Sequence, residues 1–186
     1  MWPFGDRRRR ATLAPENPPR PRLVQIDGEI TDGVANTVVA KLLFLNSEGT
    51  REPITLRINS PGGSFAAGMG VVDTLRFVGV TVNTEAPNVA HGMAAVILAC
   101  GTGSRRVGPA AELSLGPLEA MRSGSVSDLA RAQHQLVELV AELCRQPLAK
   151  VAHDLSAWQP FSATEAVAYG LADHVGGCGD ESEPGP

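Results

Sequence analysis

The sequence predicts an α/β fold with largely parallel strand pairing, and three observations carry that reading. Alternating, β-branched stretches recur between longer segments of helical periodicity. Each strand-like stretch ends at Gly, Pro or Asp. The chain has 186 residues with 43% apolar side chains, enough for one substantial core. Strands alternating with helices imply a mostly parallel sheet. One domain is expected over 23–175. A Pro- and Arg-rich tail (1–22) and a Gly-, Pro- and acid-rich tail (176–186) bracket it, and both are expected to be mobile.

LVQIDGEI, Leu23 to Ile30, has the alternation of a first strand closed by Gly. Asp32 then stands where a helix N-cap would, and Val34, Val38, Leu42 and Leu45 follow at helical spacing up to Gly49. ITLRINS, Ile54 to Ser60, alternates into the breaker PGG, and FAAGMGVVDTLRFVG reads as a second helix. Val80 to Ala86 is a third strand. HGMAAVILACGTG is too Ala-rich for a surface strand and reads as a buried helix. Short strands are expected around Arg106 to Val107 and Leu113 to Leu115. From Ser127 to Arg145, a stripe of Leu129, Leu136, Val140 and Leu143 predicts the longest amphipathic helix. Pro147 and Pro160 punctuate the next stretch, SATEAVAYGLA reads as a capped helix ended by Gly170, and a strand at Asp173 to Val175 closes the fold.

Composition removes several functions. No apolar run approaches the roughly 20 residues that cross a bilayer, and MWPFGDRRRR is not followed by an apolar stretch of signal-peptide length. A soluble, cytoplasmic protein is expected. Cys100, Cys144 and Cys178 are odd in number and lack metal-type spacing, so neither a disulfide framework nor a metal site is predicted, and no cofactor. The net charge of -4 argues against nucleic acid, and Arg7 to Arg10 read as a solvated tail. PGGSFAAG has neither the Lys-Ser/Thr of a phosphate loop nor the spacing of a dinucleotide motif.

The stretch that could carry chemistry is Asn59-Ser60-Pro61-Gly62-Gly63. Two glycines after a proline at a strand end free the backbone for positive φ and can turn its N–H groups toward a bound carbonyl, although an ordinary turn uses the same residues.

INSPGGSFAAGMGVVDTLR, then VAHGMAAVILACGTGSRR (Val89 to Arg106), then FSATEAVAYGLADHV resemble, in this order and spacing, three signatures of the Clp protease proteolytic subunit, ClpP. The resemblance runs from about Leu23 to Val175. It implies a crotonase-like fold of stacked ββα units with a protruding handle helix, here Ser127 to Arg145. It also implies heptameric rings around a proteolytic chamber and a ring-shaped Clp ATPase partner. The family cleaves unfolded polypeptides with a Ser-His-Asp triad, and by this match the three positions carry other residues. Met93 in VAHGMAA matches the family's Met, which puts Gly92 at the nucleophile. The His position falls at Leu115, Gly116 or Pro117, with Gly116 taken as the match, and the Asp position at Trp158; Asp154 matches a second, non-catalytic acid. The Gly63 and Met93 amides match the oxyanion hole.

The resemblance therefore implies a catalytically inactive ClpP-like subunit that assembles with, or modulates, an active Clp serine peptidase. Two alternatives stand beside it. One is an active endopeptidase with relocated catalysts, drawing on Ser60, Ser64 or Ser114; the other is a crotonase-like acyl-CoA enzyme, which INSPGG and YGLAD argue against. On structural readings, His91 fills space beside the site, Cys100 is a core thiol, Ser60 a turn residue and Trp158 a packing residue. Where the family carries an ordered segment with aromatic and Leu residues near its ATPase docking pocket, this chain has RRRRATLAPENPPRPR, which holds no aromatic residue.

Overall fold

Residues 22–116 and 126–176 are described by a computed structural model; apart from Arg22 and Gly176, the two expected tails lie outside the described residues. Leu23–Asp27 (β1) buries Val24 and Ile26 and turns its other side chains away from the core, the period of a strand packed on one face. It stops at Asp27, earlier than expected, and Ile30 forms only an isolated bridge to Gly63. The next helix, Asp32–Ser47 (α1), is capped by Thr31 rather than Asp32: the Thr31 hydroxyl accepts the Val34 amide at 3.3 Å. Asp32 is instead the first helical residue, where its carboxylate favours the helix dipole.

Ile54–Asn59 (β2) leads into Phe65–Phe77 (α2), capped by Ser64, and then Val82–Ala86 (β3). Val89–His91 (β4) is a strand that the sequence reading leaves unseparated from the Ala-rich run; only Met93–Ala99 (α3) is helical, and it is buried throughout. Arg105–Val107 (β5) and Glu112–Ser114 (β6) are the two short strands expected. Val126–Cys144 (α4) is the long helix, burying Leu136 and Val140 while Leu129 stays partly exposed. Leu148–Ser156 (α5) and Pro160–Phe161 (β7) have no counterpart in the sequence reading, because Pro147 and Pro160 read as breakers; Pro147 is the N-cap of α5. Ala163–Tyr169 (α6) starts at a Ser162/Glu165 capping box and ends at Gly170, and His174–Val175 (β8) closes the chain's described part.

β1, β2, β3, β5 and β8 form an all-parallel sheet in that order, and β4, β6 and β7 a second one in which only β6–β7 is antiparallel. The runs β3–β4–α3 and β5–β6–α4 are ββα passages. The apolar face of the larger sheet shares one core with the helices. Its far edge is pinned by Arg105, which binds Asp173 at 2.5 Å and the Gly170 carbonyl at 2.8 Å. Among the described residues no helix is long and apolar enough to cross a membrane.

Candidate functional site

The site is built where β2 and β4 end. Beyond β2, the buried Ser60 hydroxyl accepts the Gly62 amide at 3.1 Å and closes the PGG turn, so Ser60 is the turn residue expected. Gly62 and Gly63 have φ of +98° and +146°. A Cβ at Gly63 would strike the Ile30 backbone, and one at Gly62 would come 2.8 Å from the His91 carbonyl oxygen and 3.7 Å from the Met93 nitrogen. The turn therefore lies directly against the start of α3.

β4 delivers that start. Gly92, at φ 53° and ψ -120°, turns the chain sharply from strand into helix. Such a strand-to-helix turn lifts one side chain clear of the backbone, and a Cβ at Gly92 would meet nothing within 4 Å. Met93 is the first residue of α3, so its N–H has no partner within the helix. Neither the Met93 nor the Gly63 amide donates to an acceptor among the described residues. Two unspent backbone donors thus sit on adjoining segments.

The second sheet brings the other predicted positions to this place. Gly92 N–H donates to the Ser114 carbonyl at 2.9 Å and Leu115 N–H to the Gln159 carbonyl at 3.0 Å. Leu115 is fully buried, while Pro117 lies outside the described residues. Trp158 lies over Gly116: a Cβ there would come within 2.5 Å of the indole. Trp158 itself has a φ of +52° and is 44% exposed. It packs, as expected, but as a lid on one glycine rather than as a core residue.

His91 does more than fill space. Its Nδ1 lies 2.9 Å from the Ser114 hydroxyl, across the His91–Ser114 register pair of β4 and β6. Ser114 is buried and His91 half-buried. The pairing escapes sequence reading because β4 does. Ser64 is spent as an N-cap, its hydroxyl accepting the Ala67 amide. Cys100 is a core thiol that burial pushes up to about 12. Asp154 is buried and its carboxylate is engaged, accepting from Tyr169 Oη at 2.9 Å and Lys150 Nζ at 2.8 Å, and burial together with the Tyr169 bond raises the Tyr169 phenol. No cluster of metal-ligating side chains occurs among the described residues.

A strand-to-helix turn beside free amides, on a parallel α/β frame, is a backbone arrangement able to hold a carbonyl oxygen, as acyl-transferring enzymes require. The chain belongs to the Clp protease family, whose model, described as Clp protease, matches residues 16–178. It is 41% identical over 163 residues to the ATP-dependent Clp protease proteolytic subunit 2 of Streptomyces avermitilis, covering 83% of this chain and 82% of that protein. Proteins of the same description from Chlamydia muridarum and Chlamydia pneumoniae are 38% and 36% identical over 162 residues, covering 83% of this chain and 80% of theirs. Its role is thus Clp protease-related.

Proposed function

We propose that this chain is a catalytically inactive proteolytic-type subunit that acts by assembling with, or modulating, active Clp subunits. The observation that carries the proposal is the joint state of Gly92, Gly116 and Trp158. The first offers no nucleophile and the second no base, and the ring of the third fills the space that a side chain at 116 needs. Triad members act as a unit, and loss of the nucleophile alone removes many orders of magnitude in rate. The Gly63 and Met93 amides would still bind a peptide carbonyl without cleaving it.

Assembly in heptameric rings with related subunits, with a Clp ATPase and in the cytoplasm, belongs to this reading. Support for assembly comes from an apolar surface at the ends of α1 and α2, where Phe44 is 59% and Phe77 75% exposed; monomers rarely leave such groups open together. The Gly79 amide donates to Asn46 Oδ1 at 3.1 Å and ties these two helix ends together.

The test is hydrolysis of a fluorogenic peptide and of an unfolded protein by the purified chain, alone and with active subunits of the same source, with native mass spectrometry of the mixture. Background rates alone, with mixed complexes and altered rates in the mixture, are expected. Rapid cleavage by the chain alone, or no mixed complex, would reject the proposal.

A second reading rests on the His91–Ser114 contact: an endopeptidase with Ser114 as nucleophile and His91 as base. A fluorophosphonate probe separates the two, since this reading requires labelling of Ser114 that His91→Ala abolishes.

A further inference from the structure

Trp158 occupies a position that suits glycine. The Ala157 amide closes onto the His153 carbonyl at 3.0 Å and the Gln159 amide onto the Asp154 carbonyl at 3.1 Å, so α5 ends in a turn whose left-handed residue is Trp158, at φ 52°. Gly or Asn is the usual choice there, because an L side chain is strained in that conformation. Burial does not offset the strain, since the indole covers one glycine and is 44% exposed. A strained conformation kept for an open aromatic side chain points to binding rather than to packing.

The ring atoms nearest a Cβ at Gly116 would be Cε3, Cζ3 and Cδ2, so the benzene edge rests on the glycine and the edge bearing Nε1 is turned away. That N–H has no acceptor among the described residues. Two bonds join the indole's surroundings to the amide pair: Leu115, beside Gly116, donates to the Gln159 carbonyl, and Ser114 accepts from Gly92, the neighbour of Met93. At Gly92 the space above the backbone is open. Spare main-chain donors, an empty side-chain slot and an exposed indole suit an extended polypeptide, whose carbonyls take the donors while a side chain takes the ring. Gly63, Met93 and Trp158 carry no charge, which favours an apolar side chain over an acidic or basic one.

We infer that Trp158 sets the specificity of a peptide-holding site: an unfolded segment laid along the two amides is kept uncut, with an aromatic or large aliphatic side chain packed on the indole. The site rests on the uncleaving reading proposed for positions 92, 116 and 158.

Trp2 and Trp158 are the chain's tryptophans, so in the full chain carrying Trp2→Phe the emission reports on Trp158 alone. Amide-capped hexapeptides that differ only in a central Phe, Leu or Asp are titrated into it. Binding is repeated by calorimetry with Trp158→Gly and Trp158→Phe, and the peptides are recovered for mass spectrometry. The Phe and Leu peptides should move the emission to shorter wavelength and bind at least about fivefold tighter than the Asp peptide. Trp158→Gly, which the left-handed turn accepts without strain, should erase that preference, and Trp158→Phe should keep it for the Phe peptide. Equal affinity for the three peptides, an unchanged preference in Trp158→Gly, or no binding up to about 1 mM would overturn the inference while leaving the uncleaving reading untouched. Peptides recovered cut, with the preference intact, would overturn the uncleaving reading and the holding role with it. An emission that shifts with protein concentration in the absence of peptide would assign Trp158 to a contact with a second copy and overturn the inference as well.

Discussion

Placing a hydroxyl at Gly92 probes the proposed reading most directly. Gly92→Ser places its Cβ where nothing lies within 4 Å, so no neighbour has to move. The cost is conformational. A φ of 53° with ψ -120° lies outside the wells of L residues, which costs about 1–3 kcal/mol. In a chain of this size 1 kcal/mol moves the melting midpoint by about 2–4 °C, so scanning calorimetry should find the variant melting roughly 2–12 °C lower. Peptide hydrolysis should stay near background, because Gly116 and Trp158 offer no proton acceptor and His91 is engaged with Ser114. Gly116→His alone should fold badly, its Cβ being forced within 2.5 Å of the Trp158 ring, and Trp158→Asp should relieve that clash. The triple variant should then cleave a fluorogenic peptide at least about 100-fold faster than Gly92→Ser. If Gly92→Ser melted no lower than the parent, or cleaved as fast as the triple variant, the reasoning would be refuted.

Three further outcomes are expected. Arg145 sits at φ 54° in the left-handed turn that ends α4, where Gln146 N–H closes onto the Ala141 carbonyl at 3.1 Å; Arg145→Gly should raise stability by about 0.5–1 kcal/mol in a chemical melt. The Arg105 guanidinium holds the Asp173 carboxyl below its ordinary value of 3.8, so that pair stabilises the fold above that pH and ceases to as pH falls through the lowered folded value. Asp173→Asn should therefore melt lower than the parent at pH 7, with the gap closing in melts taken below about pH 4. Cys100 and Cys144, with thiols raised to about 12 and about 11, should take up a thiol reagent at pH 8 only when denaturant unfolds the chain.

Elements with long, unbroken periodicity are legible from sequence. α1 shows Val38 and Leu42 inward, and α4 shows Leu136 and Val140 inward, as their spacing requires. β4 is not legible: Val89-Ala90-His91 runs without a break into an Ala-rich helix, and the strand is fixed by its bridges to β6 and Ser60 rather than by its own propensity. α5 is hidden because Pro147 reads as an end when it is a beginning. At the site, Gly62 and Gly63 can be picked out because a turn pressed against another backbone admits few other residues. The stacking of Trp158 on Gly116 and the His91–Ser114 bond cannot, since both join residues that only the second sheet brings together.

The three positions proposed to match a triad, 92, 116 and 158, are not equivalent, and the difference bears on whether the proposed inactive state is easily reversed. Gly92 is free of contacts and relieves a strained turn, so acquiring it costs the fold nothing. Gly116 and Trp158 are coupled by volume. A larger residue at 116 meets the indole, while a small acid at 158 uncovers the glycine and removes its largest contact, so either single step back should cost about 1–3 kcal/mol before the second compensates. The amide pair behaves in the opposite way. Gly63 is held by the turn that packs on Ile30, and Met93 by the Gly92–Ser114 bond that joins β4 to β6, so both donors persist as by-products of bonds that the fold needs. The presence of the two amides is therefore what the scaffold alone predicts, and on the proposed reading it is the side chains at 92, 116 and 158 that speak to catalysis.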